Sequence, residues 1–357
     1  MSGRRGRLLA GGAVASLLLV LFFRGMDWAA LGRSLRDARP GYLLGLVAVT
    51  VVVYAARAWR WGGLLAPLGR VPFPDLFSAT MVGFAAGLLV PRAGEIVRPW
   101  LVSRRHPIPT SSGFATIVLE RLVDLITVLV LFGLYLFVLP APEAQVGGAR
   151  MDAILVAGGL AALAALLALA LLLALHARPE PVIGMLDRLL ARAPTWLAGP
   201  LGRAVRAFSE GLAVLRAPAR HLGGIGVQSL LVWLLIALGF HLNHLAFAIA
   251  LPFHATLLLI AFLVVGVAIP TPGMVGGFHY FYLLTLTQVY GVDRAPAAAA
   301  GIAAHALTNL PILVLGLVLL GREGVTLRGV ARATEKADPT SPRSPEGREL
   351  EARSEVR

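Results

Sequence analysis

The sequence has no cysteine and few charged side chains for its length. Because none of the 357 residues is cysteine, disulfides, thiolate nucleophiles and thiolate metal sites are excluded. Charged residues make up 14% of the chain, roughly half the share typical of soluble domains, whereas hydrophobic residues make up 57%. These proportions exclude an ordinary soluble enzyme, a disordered protein and a secreted disulfide scaffold.

Acidic residues are scarce compared with basic ones. The chain has 19 Asp and Glu against 32 Lys and Arg, which gives a formal net charge of +13. On a soluble protein this excess would suggest a nucleic-acid partner. Here the apolar residues lie in long runs typical of membrane spans, so the excess instead indicates which loops face the cytoplasm, and no nucleic acid is expected as a partner.

Six of the apolar runs are assigned as full spans. The first follows three arginines and has the beginning of a signal peptide, but no Ala-x-Ala cleavage site follows it, so an uncleaved span is favoured. The predicted spans are the runs 8–23, 42–56, 114–139, 154–175, 222–251 and 297–320.

The three remaining runs, 76–90, 257–269 and 278–290, are shorter than the roughly 20 residues that a helical span needs. If the first run dips in from the cytoplasm and the other two form one hairpin from outside, most of the 32 cations are cytoplasmic. If the first run instead crosses fully and the other two cross once together, the cations divide almost equally. The positive-inside rule therefore favours hairpins. This count places Arg57, Arg60 and Arg70 in a cytoplasmic loop.

These assignments predict an all-α, polytopic protein of the inner membrane with about six spans, two re-entrant hairpins and both termini in the cytoplasm. Such a pattern is typical of an inverted repeat. The membrane domain covers residues 1–321 and includes an amphipathic cytoplasmic segment at 176–221, which we expect to lie on anionic lipid. The charged segment 322–357 lacks the apolar content to build a core and is predicted to be disordered.

Two charged clusters stand in otherwise apolar surroundings. The first, Arg92, Glu95 and Arg98, follows the helix-breaking Pro91, and its steps of three residues allow pairs between Glu95 and either arginine. It either binds the phosphate of a lipid headgroup, because guanidinium matches phosphate geometry, or simply ends the apolar segment with cytoplasmic arginines at the membrane surface.

The second cluster, Glu120, Arg121 and Asp124, lies inside a predicted span, where charges usually face a partner or a wet cavity. Two acids and one base require a further cation, and Arg92 or Arg98 is the natural candidate. The cluster is therefore either a salt-bridge clamp or part of a transport or proton-relay path.

A third element, Pro270 to Gly277, combines residues that break helices and open the backbone: Pro272, Gly273, Gly276 and Gly277. Non-helical backbone at membrane depth is tolerated where it is buried or lines a cavity. The half-helix that follows would aim its amide groups at an anion, with His279 on its first turn. We therefore include these residues among the candidate substrate contacts.

No motif for hydrolysis, phosphate cradling or metalloprotease chemistry occurs, so an enzyme, a cofactor and a metal site are not expected. Pairs such as His241 and His244 share a helix face without a carboxylate, and buried polar groups between membrane helices are commonly structural.

Three segments resemble the signatures of the lysylphosphatidylglycerol synthetase transmembrane-region family, whose members are also described as flippase-like. They are LLVPRAGEIVR at 88–98, VLERLVD at 118–124, and PTPG at 270–273 followed by Gly276 and Gly277. The resemblance implies movement of aminoacylated phospholipid across the bilayer, while a separate soluble domain, which we do not expect in this chain, makes that lipid. Family members often have Glu near His279 and Arg near His305, so lysyl-lipid is not assumed as the cargo.

We therefore expect translocation of a phospholipid or lipid-linked anionic molecule. Two alternatives are an intramembrane lipid-modifying enzyme and a non-transporting membrane partner. The cargo, the energy source and the oligomeric state are open at this point.

Overall fold

The computed structural model describes residues 2–90, 93–139, 218–269 and 271–322, together with isolated positions between 163 and 188. Within these residues every regular element is a helix. Several predictions concern residues outside the described part of the chain: Pro91, Arg92, Pro270, nearly all of the span 154–175 and of the segment 176–221, and the tail after residue 322.

The helices, numbered along the chain, have the following bounds: α1 Ser2–Phe23, α2 Trp28–Arg36, α3 Pro40–Leu65, α4 Phe73–Leu89, α5 Ala93–Ser103, α6 Thr110–Phe137, α7 Ala219–Ala246, α8 Ala255–Ala268, α9 Gly277–Leu284 and α10 Arg294–Arg322. A 3₁₀ turn, Pro272–Met274, separates α8 from α9, and a π-helical turn, Thr285–Val289, continues α9.

Three helices, α3, α7 and α10, are long and apolar enough to cross a membrane, and α1 with α2 makes a fourth if this pair, bent by 88°, is one span. α6 is 28 residues long but carries the predicted internal charges. The helix α2 begins at Asp27, whose carboxylate accepts hydrogen bonds from the amides of Ala29 and Ala30 at 2.9 Å. Both bonds lower the pKa of Asp27, and the bond from Ala30 has the larger effect.

α4 and α5 form a helical hairpin whose arms touch through glycine. A Cβ atom on Gly94 would collide with the backbone carbonyl of Gly83, so the two helices approach at backbone distance. The open end is held by Asp75, near the start of α4. Its carboxylate accepts hydrogen bonds from Arg105 at 3.0 Å and from His106 Nε2 at 2.9 Å.

α8 and α9 form a second hairpin in the same way. Gly266 and Gly277 face each other at backbone distance, with the same separation in sequence as the first glycine pair. At the open end the Tyr290 hydroxyl donates to the Ala255 carbonyl at 3.1 Å. Both hairpins therefore return to the end of the bundle at which they began.

The two hairpins open toward opposite ends of the bundle because α3 and α7 pack antiparallel. Gly45, near the start of α3, lies against Leu242, near the end of α7, and Gly63 lies against Ile225. His221 Nε2 also donates to the Gly63 carbonyl at 2.9 Å. Each half of the described chain thus consists of a long helix, a hairpin and a second long helix, and the two halves run through the bundle in opposite directions.

Packing between the halves follows this pattern. The first hairpin packs on α10, and the second packs on α6, so each hairpin contacts the last helix of the other half. Among the described residues, one apolar cluster includes the second hairpin and two include residues of the first. Large apolar side chains such as Leu17, Val20, Leu44 and Phe137 are exposed on the outside, as expected of a lipid-facing surface.

Candidate functional site

A cavity of about 670 Å³ lies between the two hairpins. Its volume is in the range of small-molecule and cofactor sites, and its lining is mostly apolar. The hairpin tips meet beside it, where Gly273 lies against the Leu88 carbonyl. The first hairpin contributes Phe84, Glu95 and Arg98, and the second contributes Thr271, Met274 and Phe278.

Ionised side chains lie along one side of this cavity: Arg57, Arg98, Arg121 and Asp124 line it, and Arg60 and Glu120 pair with them without lining it. We call this group the charged wall and define it as Arg57 and Arg60 of α3, Arg98 of α5, and Glu120, Arg121 and Asp124 of α6. The spacings on α3 and α6 place each set on one helix face. All six residues except Arg121 are buried, so each charge requires compensation within the protein.

Glu120 forms a bidentate ion pair with Arg98. Arg98 donates through Nη1 to Oε1 at 3.1 Å and through Nη2 to Oε2 at 3.0 Å, and both side chains are almost completely buried. This bidentate geometry is the strongest arrangement open to a guanidinium and a carboxylate. The pair fastens the first hairpin to α6. Arg98 also lies over the Trp61 ring, at 4.4 Å from its centroid.

Asp124 is held by Arg60 and by an indole. Arg60 Nη1 donates to Asp124 Oδ1 at 2.6 Å and to the Ser229 hydroxyl at 2.6 Å, while the Trp233 indole donates to the same carboxylate oxygen at 3.0 Å. Arg60 Nη2 also lies 3.4 Å from Glu120. These contacts join α3, α6 and α7 at one point.

Arg57 and Arg121 are bound more loosely. Each has one Nη atom 3.7 Å from Asp124 Oδ2, which accepts no hydrogen bond from the described residues. Arg121 donates to Glu120 Oε1 at 2.8 Å, but its side chain is 44% exposed. Arg57 is buried, and its Nε and Nη1 have no hydrogen-bond partner within the described structure.

The predicted residues meet only in part. Arg98, Glu120, Arg121 and Asp124 join one network, in which Arg98 supplies a cation to Glu120, whereas Asp124 is paired with Arg60, which the sequence interpretation did not place there. The expected Glu95–Arg98 pair is wrong, because the Arg98 guanidinium points to Glu120 instead. Glu95 lines the cavity. Arg92 lies outside the described residues.

The placement of Arg57 and Arg60 in a cytoplasmic loop is also wrong. α3 continues to Leu65, which buries both side chains in the charged wall. The apolar run 42–56 was too short for a span by itself, and this shortfall was a signal that the helix must include the arginines that follow it. Both topologies counted these cations on the same side, so the preference for hairpins is unaffected. Ser229 and Trp233 were missed as well.

The tip of the second hairpin is organised by glycines and two histidines. Gly273 and Gly276 have φ angles of 62° and 89°, a region that side chains other than glycine rarely adopt. His305 Nε2 donates to the Gly273 carbonyl at 2.8 Å, and its ring lies 4.6 Å from the His279 ring. The two positions that depart from the family pattern are therefore in contact.

Some predicted tip residues do not line the cavity. Pro272, Gly273, Gly276, Gly277 and His279 are not among the residues that line it; at this tip the lining consists of neighbouring residues such as Thr271, Met274 and Phe278, together with His305. Gly276 instead packs against the backbone of Ala15 in α1. Among the described residues no three metal-ligating side chains lie close enough together to hold a metal ion.

Comparison with known proteins gives two matches. The family described as "Lysylphosphatidylglycerol synthase TM region" matches residues 8–316. The protein named "Glycosyltransferase AglD" from Haloferax volcanii is 26% identical over 349 residues, which cover 88% of this chain and 54% of that protein. The chain thus spans about half the length of this curated relative.

Proposed function

We propose a function for this chain as a member of the lysylphosphatidylglycerol synthase TM region family, to which it belongs because the match covers residues 8–316. It is a multi-pass membrane protein. In our proposal it translocates a lipid or a lipid-linked molecule with an anionic headgroup between the leaflets of the bacterial inner membrane. The termini are cytoplasmic in this proposal.

The observation that carries the proposal is the cavity between two hairpins that open toward opposite ends of the bundle. A headgroup in this cavity would meet the charged wall on one side and the tip of the second hairpin on the other. The apolar lining suits the first carbons of acyl or prenyl chains, whose remainder would stay in the bilayer. Inverted repeats with broken helices that meet at one central site are a common architecture of alternating-access transporters.

The ion pairs divide into two roles in this proposal. Arg98 with Glu120, and Arg60 with Asp124, are short and buried, and they hold the helices together. The 3.7 Å contacts of Asp124 Oδ2 are long enough to exchange for contacts with cargo. Glu95 lines the cavity and would interact with the cargo from the first hairpin.

A leaflet-exchange assay in proteoliposomes tests the proposal. We expect the wild-type protein to speed the exchange of a fluorescent anionic lipid over that in protein-free vesicles. Arg121→Ala should slow it about tenfold or more, because one charge-assisted contact to the headgroup is lost. Arg36→Ala, which removes an exposed arginine on α2, is the matched control.

Two results would contradict the proposal, the first its translocation activity and the second its headgroup site. One is a wild-type rate equal to that of empty vesicles for anionic, zwitterionic and aminoacylated lipids alike. The other is an Arg121→Ala rate equal to the wild-type rate with every lipid that is exchanged.

A second candidate function is transfer of a sugar to or from a lipid, which the name of the Haloferax volcanii relative suggests. In this case Glu95, the carboxylate that lines the cavity without a described ion-pair partner, would act as an acid or base. Mass spectrometry of lipids incubated with the protein and sugar donors distinguishes the two functions. A new lipid product would favour the enzyme, and a non-transporting partner protein would show neither product nor exchange.

A further inference from the structure

We infer that Arg57, together with Arg121, binds one phosphodiester group of the cargo, and that Arg60 and Arg98 do not contact it. This inference rests on the proposed function, since it assigns a cargo chemistry to the same cavity. It also gives a binding role to Arg57, a residue that the sequence motifs did not single out.

Arg60 and Arg98 each make short, buried ion pairs, although Nε and Nη2 of Arg60 and Nε of Arg98 have no hydrogen-bond partner within the described structure. Arg60 also does not line the cavity. Both Nη atoms of Arg98 donate to Glu120, and Nη1 of Arg60 donates to Asp124 and Ser229. Their side chains are 0% and 3% exposed. A cargo phosphate could reach them only by breaking buried ion pairs, which is strongly unfavourable.

Arg57 differs because it makes no short ion pair: its carboxylate contact, with Asp124 Oδ2, is 3.7 Å long. Its side chain is only 9% exposed, it lines the cavity, and its Nε and Nη1 make no hydrogen bond within the described structure. Its guanidinium carbon lies 5.5 to 6.0 Å from the ring centroids of Phe84, Trp233 and Tyr54. The rings stabilise the positive charge without occupying its N–H groups. A buried donor set left open in this way is what an oxyanion needs.

Arg121 provides the second contact. It lies near the same carboxylate oxygen as Arg57, at the same distance of 3.7 Å, and close to the same Phe84 ring. The two guanidinium groups therefore lie beside the same carboxylate oxygen, Asp124 Oδ2, at a distance too long for a hydrogen bond. A phosphate oxygen entering the cavity would replace this weak interaction with charge-assisted hydrogen bonds from both arginines.

The balance of charge selects the class of phosphate. The described part of the site holds four guanidinium groups, those of the charged wall, and three carboxylates, those of Glu95, Glu120 and Asp124. Their formal charges sum to one positive charge. A phosphodiester carries one negative charge and neutralises it. A phosphomonoester carries nearly two at neutral pH, and the excess would be unfavourable in a largely apolar cavity. Phospholipids and prenyl phosphosugars share the phosphodiester, so either source fits.

Binding of water-soluble lipids to the full-length protein in detergent tests this inference without requiring transport. The probes are dihexanoyl phosphatidylglycerol and citronellyl phosphoryl mannose, which are phosphodiesters, and dihexanoyl phosphatidic acid, a phosphomonoester. We expect calorimetry to show tighter binding of at least one phosphodiester than of phosphatidic acid. Arg57→Gln should weaken it about tenfold or more, Arg57→Lys should recover part of the loss, and Arg36→Gln should change nothing.

Glu95→Gln provides a test that keeps Arg57 in place. It raises the charge of the site by one, so relative affinity should shift toward phosphatidic acid. Wild-type affinity in a folded Arg57→Gln protein, or a wild-type preference for phosphatidic acid, would overturn the inference even if leaflet exchange occurs. Phosphodiester binding that depends on Arg57, without leaflet exchange, would support the inference and overturn translocation. Which phosphodiester binds more tightly identifies the source.

Discussion

Individual side chains in the charged wall have unequal energetic roles. A buried ion pair adds little stability over a well-packed apolar pair, but removal of one partner leaves an unpaired buried charge. Glu120, which no water reaches and which Arg98 and Arg60 both contact, is the clearest example. The acids of α6 therefore need their arginines for folding, whatever role the site has in transport.

We expect Arg98→Leu and Glu120→Leu each to destabilise the protein by about 3–5 kcal/mol, because each leaves a partner charge unpaired. The double variant should lose clearly less than the two losses combined. Thermal unfolding in detergent, followed by tryptophan fluorescence, measures all three. Asp75→Asn, which weakens the partly exposed contacts with Arg105 and His106, should cost no more than about 1 kcal/mol. If the loss of stability in the double variant equals the sum of the two single losses, Arg98 and Glu120 do not stabilise the protein as an ion pair.

At the scale of helices, the two hairpins depend on glycine pairs. The short apolar runs and the Pro-Gly segment correctly predicted where the helices break, because proline and glycine act locally. Which residues touch across each hairpin was not predictable, since Gly83 and Gly94 look like ordinary small residues in the sequence. Their role follows from the approach of two backbones.

We therefore expect Gly94→Ala and Gly277→Ala to lower the melting temperature, at a cost of about 1–3 kcal/mol each, because the new methyl group meets a backbone carbonyl that cannot rotate away. Gly133→Ala in α6 is the matched control, because nothing lies within 4 Å of its added carbon. It should leave stability unchanged or raise it slightly. Equal melting temperatures for all three variants would argue against backbone contact in the hairpins.

At the scale of the whole molecule, the antiparallel packing of α3 on α7 makes the two halves opposed copies of one pattern. The sequence suggested this only through the positive-inside rule. In the structure, the contacts of Asp75 with Arg105 and His106 hold the two arms of the first hairpin together at its open end. The hydrogen bond between Tyr290 and Ala255 does the same for the second hairpin. Re-entry of the hairpins into the bilayer, and the total of six spans, remain predictions.

Single cysteines test this topology directly, because the natural chain has none. We expect Arg70→Cys and Arg104→Cys, which flank the first hairpin, to react with a membrane-impermeant maleimide from the cytoplasmic side. Phe253→Cys and Asp293→Cys, which flank the second, should react from the opposite side. Labelling of sealed vesicles of both orientations measures this. Reaction of either pair from two different sides would show that its hairpin crosses the membrane.

Sequence reasoning alone predicted a helical membrane protein, the positions where its helices break, and the need of two acids in an apolar segment for a cation from elsewhere. These properties follow from local composition and from the high cost of charge in lipid. Which arginine meets which acid became visible only in the folded arrangement of the helices. Arg60 contacts Ser229 across 169 positions of the chain, and Arg57 faces the cavity because three helices converge there. Such pairings depend on how helices approach one another, which their separate sequences do not encode.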